Sequence, residues 1–435
     1  MARKTFYTVL VVTVALTLCA AAETADSYPG PGSGYEGWTG ERTVGLNDPR
    51  HVQMDYGNGY LHMVADNGAH VYYFRAADES ALNWSFVRYM DLDKARPAMD
   101  PYIEASGSTV VVSWKELVGS TWALALAVST DNGATWKTWS DANPACNNYE
   151  AHVYVAGGKI HAAYVSDYDA GQGRRNEVYY RRFTTALAPE HLSCPSGQLD
   201  GTAASYPCTE AASASFANVY YQHGHGPLHP IYQSYTPDSG ANWHRMELIP
   251  TGGGTDFSHP EVGVWMDGAD RRKMVVAAGN NAGIYEVWSR RYYSGIWTSH
   301  FRIADLGQDA AHPHICTKDR SILVIYRQSG GTLNHGVAGR LNTQSGENTA
   351  WHHIDGLFYS NASYGDCGSV DCCADASRFY ASSAGTGAPP RNLILTKRED
   401  TRNPTILIND PGTYHNADFN VKATASDDFN HSADW

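Results

Sequence analysis

The chain has 435 residues, of which 43% are hydrophobic, 12% aromatic and 18% charged. This composition is typical of a folded globular protein and excludes a disordered or fibrous chain. The formal net charge is −13. Because a field of that sign repels polyanions, we expect neither nucleic acid nor an anionic membrane surface among the main partners.

Residues 1–22 have the three-part pattern of a secretory signal peptide. Arg3 and Lys4 precede an apolar run from Phe6 to Leu18, and alanines at 20–22 follow it. A membrane anchor is the alternative, but the run is short for a span and no basic cluster follows it. The pattern therefore predicts a secreted protein without integral membrane contact.

An extracellular location favours disulfides and N-glycosylation. The cysteines after the leader are odd in number, so at least one of them would stay unpaired. Cys194 and Cys208 flank a loop-like stretch and form the predicted disulfide, with Cys367 and either Cys372 or Cys373 as the next candidate. The predicted glycosylation acceptors are Asn83, Asn361 and Asn430.

Tryptophan recurs with a period of about fifty residues. The tryptophans concerned are Trp84, Trp136, Trp243, Trp297 and Trp351, separated by 52, 107, 54 and 54 residues. The long gap is close to two periods, so one repeat near residue 190 lacks its tryptophan. A fixed period of this length indicates a repeat architecture.

A second column of residues recurs out of phase with the tryptophans. It consists of an acidic, imidazole or aromatic residue, then Pro or Ala, a polar residue, and Val or Ile. The instances begin at Asp100, Glu150, Phe216, His259 and His312, and Asp48-Pro-Arg-His-Val fits with one extra residue. The longest interval contains the Cys194–Cys208 stretch, which therefore reads as an insertion.

Each repeat contains about four short strands rich in aromatic and β-branched residues. Four strands per fifty residues predict an all-β protein, a β-propeller of six or seven blades, and we favour seven. One blade cannot hide its two apolar faces alone, whereas a closed ring buries both. The predicted order is a signal peptide over 1–22, an N-terminal segment over 23–45, a single propeller domain over 46–410 and a polar tail over 411–435.

Two hairpin loops share a turn motif. Residues 129–136 read Ser-Thr-Asp-Asn-Gly-Ala-Thr-Trp, and residues 236–243 read Thr-Pro-Asp-Ser-Gly-Ala-Asn-Trp. The motif resembles the Asp box of the bacterial-neuraminidase-repeat, or sialidase-like, propeller superfamily. That resemblance implies a sialidase-like fold and a structural role for the loops, away from the ligand face. The residues concerned are Ser129, Asp131, Gly133, Trp136, Asp238, Gly240 and Trp243.

The resemblance does not extend to sialidase chemistry. A sialidase of that superfamily uses three arginines to hold the substrate carboxylate, a Tyr–Glu nucleophile pair and an Asp acid. The Arg-Ile-Pro motif that carries the first arginine is absent from this chain. The nearest positional candidates are Arg50, Arg245 and Arg327 for the arginines, Glu261 for the glutamate and Tyr364 for the tyrosine.

Ligands of propellers meet the ring where the innermost strands begin, and the second column is the candidate for that position. The candidate ligand-binding residues are Asp48, Arg50, His51, Asp100, Tyr102, Glu150, His152, Asn218, His259, Glu261, His312 and His314. They could bind sugar hydroxyls or transfer protons. In architecture the chain also resembles propeller polysaccharide lyases, some of which use a His–Tyr–Arg set. That resemblance makes His152, Tyr102 or Tyr220, and Arg50 the candidates here.

Histidines suggest two further roles. His312, His314 and Cys316 alternate along one predicted strand and could together hold zinc, although no cofactor is required and calcium is a second possibility. His62, His161 and His229 recur at equivalent second-strand positions, which favours a packing role.

The favoured function is binding of extracellular glycans without catalysis, because a complete propeller frame accompanies an absent arginine motif. The alternatives are a glycan-cleaving enzyme, either polysaccharide lyase or glycoside hydrolase, and a self-associating structural subunit.

Overall fold

The computed structural model describes most of the chain between residues 42 and 399, together with two short strands beyond it. The described residues are 42–44, 46, 49–77, 84–141, 146–167, 176–196, 203–224, 228–281, 283–303, 309–330, 333–342, 351–358, 366–374, 378–386, 393–399, 407–408 and 423–424. The predicted signal peptide, Asp48, the glycosylation acceptors and nearly all of the tail lie outside them. The described residues contain no α-helix that could serve as a membrane span.

Seven antiparallel sheets of four or five strands make up the described part of the chain. The first strand, β1, covers Arg42–Val44 and belongs to the last sheet. Blade 1 consists of β2 (His51–Gly57), β3 (Tyr60–Asp66), β4 (Val71–Ala77) and β5 (Ser85–Tyr89). Blade 2 consists of β6 (Ala98–Ser106), β7 (Thr109–Val118), β8 (Thr121–Ser129) and β9 (Lys137–Asp141). Blade 3 consists of β10 (Asn148–Ala156), β11 (Lys159–Ser166), β12 (Glu177–Thr184) and β13 (Pro189–Ser193).

The remaining blades follow in chain order. Blade 4 consists of β14 (Ala204–Ala211), β15 (Ala217–His223), β16 (Ile231–Thr236) and β17 (His244–Ile249). Blade 5 consists of β18 (Asp256–Asp267), β19 (Asp270–Asn281), β20 (Ile284–Tyr293), β21 (Ile296–Trp297) and β22 (Phe301–Arg302). Blade 6 consists of β23 (Asp309–Lys318), β24 (Ser321–Gly330), β25 (Leu333–Asn342) and β26 (Trp351–Phe358). Blade 7 consists of β27 (Asp366–Ala374), β28 (Arg378–Thr386), β29 (Leu393–Glu399) and β1, and β30 (Leu407–Ile408) pairs with β31 (Ala423–Thr424) outside the blades.

The ring closes through both its innermost strands and its termini. Each innermost strand contacts the next one, in the order β2, β6, β10, β14, β18, β23, β27 and back to β2. The outer edge of blade 7 is β1, which pairs antiparallel with β29, Thr43 opposite Ile394. The predicted β-propeller is therefore confirmed, with seven blades, and its first strand falls within the segment predicted to precede the domain.

Apolar side chains fill the spaces between neighbouring blades. Blades 1 and 2, for example, share a cluster in which Tyr73 and Trp114 are fully buried. The cluster between blades 7 and 1 joins Tyr380 to Val52 and Leu61, which lie far apart in the sequence. Burial of this kind supplies the main stabilisation of the ring, because each sheet hides both faces against its neighbours.

The innermost strands of blades 2 to 6 carry a β-bulge near their first residues. The register shifts at these points, and the bulged residue has a positive φ of 50–54° in every case: Asp100, Glu150, Tyr206, His259 and His312. Proline or alanine follows each of them. Proline lacks a backbone N–H, but this costs no hydrogen bond at a bulge, where the ladder between the two strands is already interrupted. The Pro-rich column of the sequence therefore marks the bulges.

Candidate functional site

The bulged residues form a ring around one end of the central channel, which we call the mouth. The imidazole of His259 stacks on Tyr206, with ring centroids 3.8 Å apart, and lies edge-on to His312 at 4.4 Å. The Tyr206 backbone N–H donates to Glu150 across the blade boundary over 2.8 Å. On blade 1, which has no bulge in its described register, His51 at the start of β2 takes the corresponding place.

A cavity of about 320 Å³ opens at the mouth between blades 4, 5 and 6. Its polar lining residues are Tyr206, Gln222, His229, Asp256, Ser258, His259, Asn280, Tyr285, His312 and Arg327. Asp256 is already paired, since it accepts hydrogen bonds from the backbone and the Nδ1 of His229. Arg327 on β24 is partly buried, and among the described residues no acidic side chain forms an ion pair with it.

The two mouth imidazoles on the cavity side are neutral near pH 7. Burial lowers the pKa of His259 to about 3, helped by the positive fields of His312, His314 and Arg327. Burial and the Arg327 guanidinium lower the pKa of His312 to about 4. The cavity therefore combines a cation that has no acidic partner in the described part of the chain with imidazoles that can accept a proton, and the net charge of the protein is strongly negative.

The opposite side of the mouth, on blades 1 and 2, is built from paired charges. His51 Nδ1 donates to the buried Asp66 over 2.6 Å and lies 3.2 Å from Asp100. Lys115 Nζ contacts the other oxygen of Asp100 at 2.5 Å. Burial lowers the pKa of His51, but the hydrogen bond and the charges of the two aspartates outweigh it, so the pKa is raised overall.

Beneath the mouth, the channel forms a second cavity of about 210 Å³ to which all seven blades contribute. The ring of Tyr102 lies 3.8 Å from that of His152, whose Nε2 is 3.5 Å from Glu261. The Nδ1 atom of His314 lies 3.3 Å from a carboxylate oxygen of the buried Asp371. The hydrogen bond and charge of His152 keep the pKa of Glu261 low despite its burial.

Two further channel carboxyl groups carry no neutralising partner of this kind. Burial raises the pKa of Asp55 to about 7, helped by the charge of Asp371, and burial with the charge of Asp55 raises the pKa of Glu104 well above its usual range. The Asp55 oxygens accept backbone N–H bonds from Tyr56 and Ala105 over 2.7 and 2.6 Å.

Asp55 gives the stability a pH dependence that a variant can isolate. Folded Asp55 binds a proton between pH 4 and about 7, where the unfolded side chain has lost it. The contribution of Asp55 to the free energy of unfolding is therefore present at low pH and is lost as the pH rises through 7. We therefore expect the free energy of unfolding of Asp55→Asn, relative to that of wild type, to rise by roughly 1 kcal/mol or more from pH 5 to pH 8. Thermal melts at the two pH values would measure this change.

The control for this measurement is Asp238→Asn, which also removes one carboxylate. The pKa of Asp238 is lowered to about 2 by hydrogen bonds from Asn242 and Thr236, so its effect should not change between pH 5 and 8. If the stability difference between Asp55→Asn and wild type also stayed constant from pH 5 to pH 8, Asp55 would be ionised over that whole range.

The structure divides the predicted ligand-binding residues into separate groups. Asp100, Glu150, His259, His312 and His51 lie at the mouth. Tyr102, His152, Glu261 and His314 line the channel, because each comes two residues after a bulge and points inward. The channel residues Tyr102, His152, Glu261 and His314 also border a shared cavity of about 160 Å³ just below the mouth.

Three predicted residues line none of the cavities at the mouth or in the channel. Asn218 lies on β15, the second strand of blade 4, where it is buried and donates to Glu210 over 2.6 Å. Tyr220, on the same strand, is fully buried between blades 4 and 5. Arg50 is exposed and lies against Gly68, outside the cavities. Of the predicted lyase set, the structure brings together Tyr102 and His152, whose ring centroids are 3.8 Å apart, and it places Tyr220 and Arg50 elsewhere.

The bulge residue of blade 4 is Tyr206, not the Phe216 of the predicted column. The insertion shifted the apparent repeat, and Phe216-Ala-Asn-Val matched the pattern one strand too late. His229 likewise departs from its prediction, because it lines the cavity with Asp256, whereas His62 and His161 hydrogen-bond to Tyr73 and Tyr180 inside the blades.

The two turn motifs lie at the end of the ring away from the mouth, because β8 and β16 begin at the mouth and run from it. Asp131 accepts from the Thr135 N–H over 2.8 Å, and Ser129 accepts from Gly133, whose φ is +78°. In the second loop, Asp238 accepts from Asn242 and Thr236 from Gly240, whose φ is +95°. Trp136 packs edge-on to Tyr73, and Trp243 packs edge-on to Tyr180.

The predicted disulfide and zinc site are not formed among the described residues. Cys194 and Cys208 form no disulfide and belong to different hydrophobic clusters: Cys194 directly follows the outer strand β13 of blade 3, and Cys208 lies on the inner strand β14 of blade 4. The bulge separates His312 at the mouth from His314 in the channel, and Cys316 packs against Cys372. The described group closest to a metal site is His51, Asp66 and Asp100.

Comparisons with known proteins extend the description of the fold. No protein-family model matches the sequence, and no curated protein matches it. Among solved structures, the chain is similar to an ulvan lyase of a new polysaccharide lyase family bound to -[GlcA(1-4)Rha3S]-, with a TM-score of 0.54 and 10% identity over 81% of this chain and 94% of that one.

Two further structures cover similar parts of the chain. A protein of unknown function from Dyadobacter fermentans has a TM-score of 0.49 and 11% identity, over 82% of this chain and 97% of that one. Trypanosoma rangeli sialidase in complex with the inhibitor DANA has a TM-score of 0.48 and 12% identity, over 82% of this chain and 59% of that one. At this identity, the similarity to the ulvan lyase is one of fold.

Proposed function

We propose that the protein is an extracellular lyase that cleaves uronate-containing polysaccharides by β-elimination at the mouth. The observation that carries the proposal is the partly buried Arg327, which lines a cavity without an acidic partner among the described residues and beside two neutral imidazoles. The leader pattern supports the extracellular location. The fold, shared with a polysaccharide lyase, is compatible with the proposal.

The proposal departs from the binding-only function that the sequence favoured. A guanidinium without a counter-ion in a negatively charged protein favours an anionic ligand, and a carboxylate can pair with it through two parallel hydrogen bonds. Among sugars, uronates carry a carboxylate beside the C5–H bond. The stacked rings of Tyr206 and His259 offer an apolar face to the sugar ring.

The chemistry requires three roles. Arg327 neutralises the carboxylate, which stabilises the negative charge that develops when C5 loses its proton. His312 is neutral and stands at the mouth beside the cavity, so it takes the C5 proton as general base. The C4–O4 bond breaks as the C4=C5 double bond forms, and the leaving oxygen takes up a proton.

The proposal is tested by incubating the purified protein with uronate polymers of gluco, galacto and manno configuration. A conjugated double bond next to the carboxylate should raise the ultraviolet absorbance, and the same polymers after reduction of their carboxyl groups should give a flat trace. Glycan binding without any absorbance change would return the function to binding alone. Absence of both would remove the carbohydrate proposal.

A further inference from the structure

An aspartate–histidine pair at the mouth has no role in the steps above. Asp66 is fully buried at the end of β3 and accepts three hydrogen bonds, from His51 Nδ1 over 2.6 Å, from the Gly68 N–H over 2.8 Å and from the Asp100 N–H over 3.2 Å. Because a carboxylate only accepts, the proton of the shared bond belongs to His51 Nδ1.

The pair leaves one nitrogen of His51 available to a ligand. Nδ1 is enclosed by Asp66 and Asp100, whereas the His51 side chain is 46% exposed. The charged and titratable groups that face it are Asp66, Asp100, Lys115 and, across the mouth, His312. A buried carboxylate that fixes the Nδ1–H is the arrangement by which proteins orient a histidine for proton transfer at Nε2.

We propose that His51, oriented by Asp66, gives the proton to the leaving oxygen of the glycan. The inference rests on the proposed lyase function. His312 takes the C5 proton, the C4–O4 bond breaks, its electron pair goes to O4, and the Nε2 proton of His51 moves to that oxygen. Water then returns a proton to His51 and removes one from His312, so that no oxidant or other reactant is needed.

The position of the pair fits this role. His51 is near enough to His312 across the mouth for its charge to lower the pKa of His312, so the acid and the base can act on one glycan bound across the mouth. An imidazolium is also a much stronger acid than a phenol. Asp66 is accordingly a positioning residue, which acts on the glycan only through His51.

The experiment compares two substrates in wild type and His51→Gln. On a uronate polymer, the variant should lose about 100-fold or more in kcat with little change in KM. On a uronate whose O4 carries a nitrophenyl group, the leaving phenolate needs no proton, and the variant should keep its activity within about 5-fold. Asp66→Asn should move the alkaline limit of the polymer pH profile downward, because it removes the charge that holds the His51 proton.

The chain provides a matched control on the same blade. His70 Nδ1 donates to the buried Asp91 over 2.6 Å, yet its ring packs on Tyr72 of β4 and Tyr89 of the outermost strand β5. His70→Gln should leave kcat and the pH profile unchanged. Equal losses in the His51 and His70 variants, or an equal loss on both substrates for His51→Gln, would overturn the inference while leaving the lyase function intact.

Failure of the lyase function gives a different result. In that case, wild type releases no unsaturated product from the polymers and no nitrophenolate from the activated uronate, and both proposals fall. Imidazole NMR titration provides a readout without turnover. His51 should stay protonated to a higher pH than a free histidine, and Asp66→Asn should abolish this difference. An unshifted His51 would overturn the pairing on which the inference stands.

Discussion

Replacing Arg327 with glutamine should raise the Kd for uronate oligosaccharides at least about 30-fold, which corresponds to about 2 kcal/mol. The reason is that the guanidinium is the cation of the cavity and has no competing acidic partner among the described residues. Calorimetric titration in a His312→Gln background would measure binding while cleavage is suppressed. The Kd of Arg327→Lys should fall between those of wild type and Arg327→Gln, because lysine keeps the positive charge but lacks the planar guanidinium that binds a carboxylate through two hydrogen bonds.

The control for this measurement is Arg320→Gln, on the same blade. Its side chain is 59% exposed and pairs with Asp267, away from the mouth, so the variant removes the same charge without touching the cavity. Its affinity should stay within about 2-fold of wild type, since exposed pairs contribute little. Equal weakening by both substitutions would mean that the net charge, and not the cavity, attracts the glycan.

Replacing Glu210 with alanine should lower the free energy of unfolding by about 3–5 kcal/mol. Glu210 is fully buried between blades 4 and 5, where it accepts from Arg271 over 2.5 Å, from Lys273 over 3.0 Å and from Asn218 over 2.6 Å. Removing the carboxylate leaves two cations facing each other with little access to water. Denaturant unfolding would measure the loss, and Glu210→Gln should give a smaller one if the alanine variant does not fold.

Glu190 offers a matched comparison, because it also pairs with one lysine and one arginine, Lys159 and Arg182. Its pair lies at the surface, and its carboxylate is partly exposed. Glu190→Ala should therefore cost no more than about 1 kcal/mol. If the two alanine variants lost the same stability, burial would not be the factor that makes the Glu210 cluster important.

The repeat period of the tryptophans correctly predicted the ring of sheets. Trp136 and Trp243 each pack against a tyrosine of the preceding blade, so their spacing reflects the spacing of the blades. Such a contact depends on residue type and on the length of one repeat, and both are visible in the sequence. The closing contact, β1 against β29, joins strands near the two ends of the chain, and the repeat period does not encode it.

The second column was recognised, but its geometry was not. Residues two apart in an ordinary strand share one face, whereas the bulge sends His259 to the mouth and Glu261 into the channel. A bulge depends on the register between two strands, which no single strand encodes. Blade 4 was misassigned for a related reason, because Phe216-Ala-Asn-Val satisfied the pattern while the bulge formed at Tyr206.

The second strands supply residues that the sequence analysis missed or left unused. Asp66, Lys115 and Arg327 stand opposite the beginnings of the innermost strands, and each lies fifteen residues after His51, Asp100 and His312, respectively. That constant offset was the available signal. This offset could be interpreted only once the register between the first and second strands was known, because the types of residue at the two positions differ from blade to blade.

The sequence by itself determined the strand content, the repeat, the ring of blades and the column positions that became bulges in four of the five bulged blades. These follow from local periodicity and from the need to bury both faces of every sheet. Only the tertiary structure decided which polar groups meet at the mouth, that Arg327 lines a cavity with no acidic partner among the described residues, and that Asp66 pairs with His51. Those relations join separate strands and blades, and burial sets their charges, so no local pattern carries them.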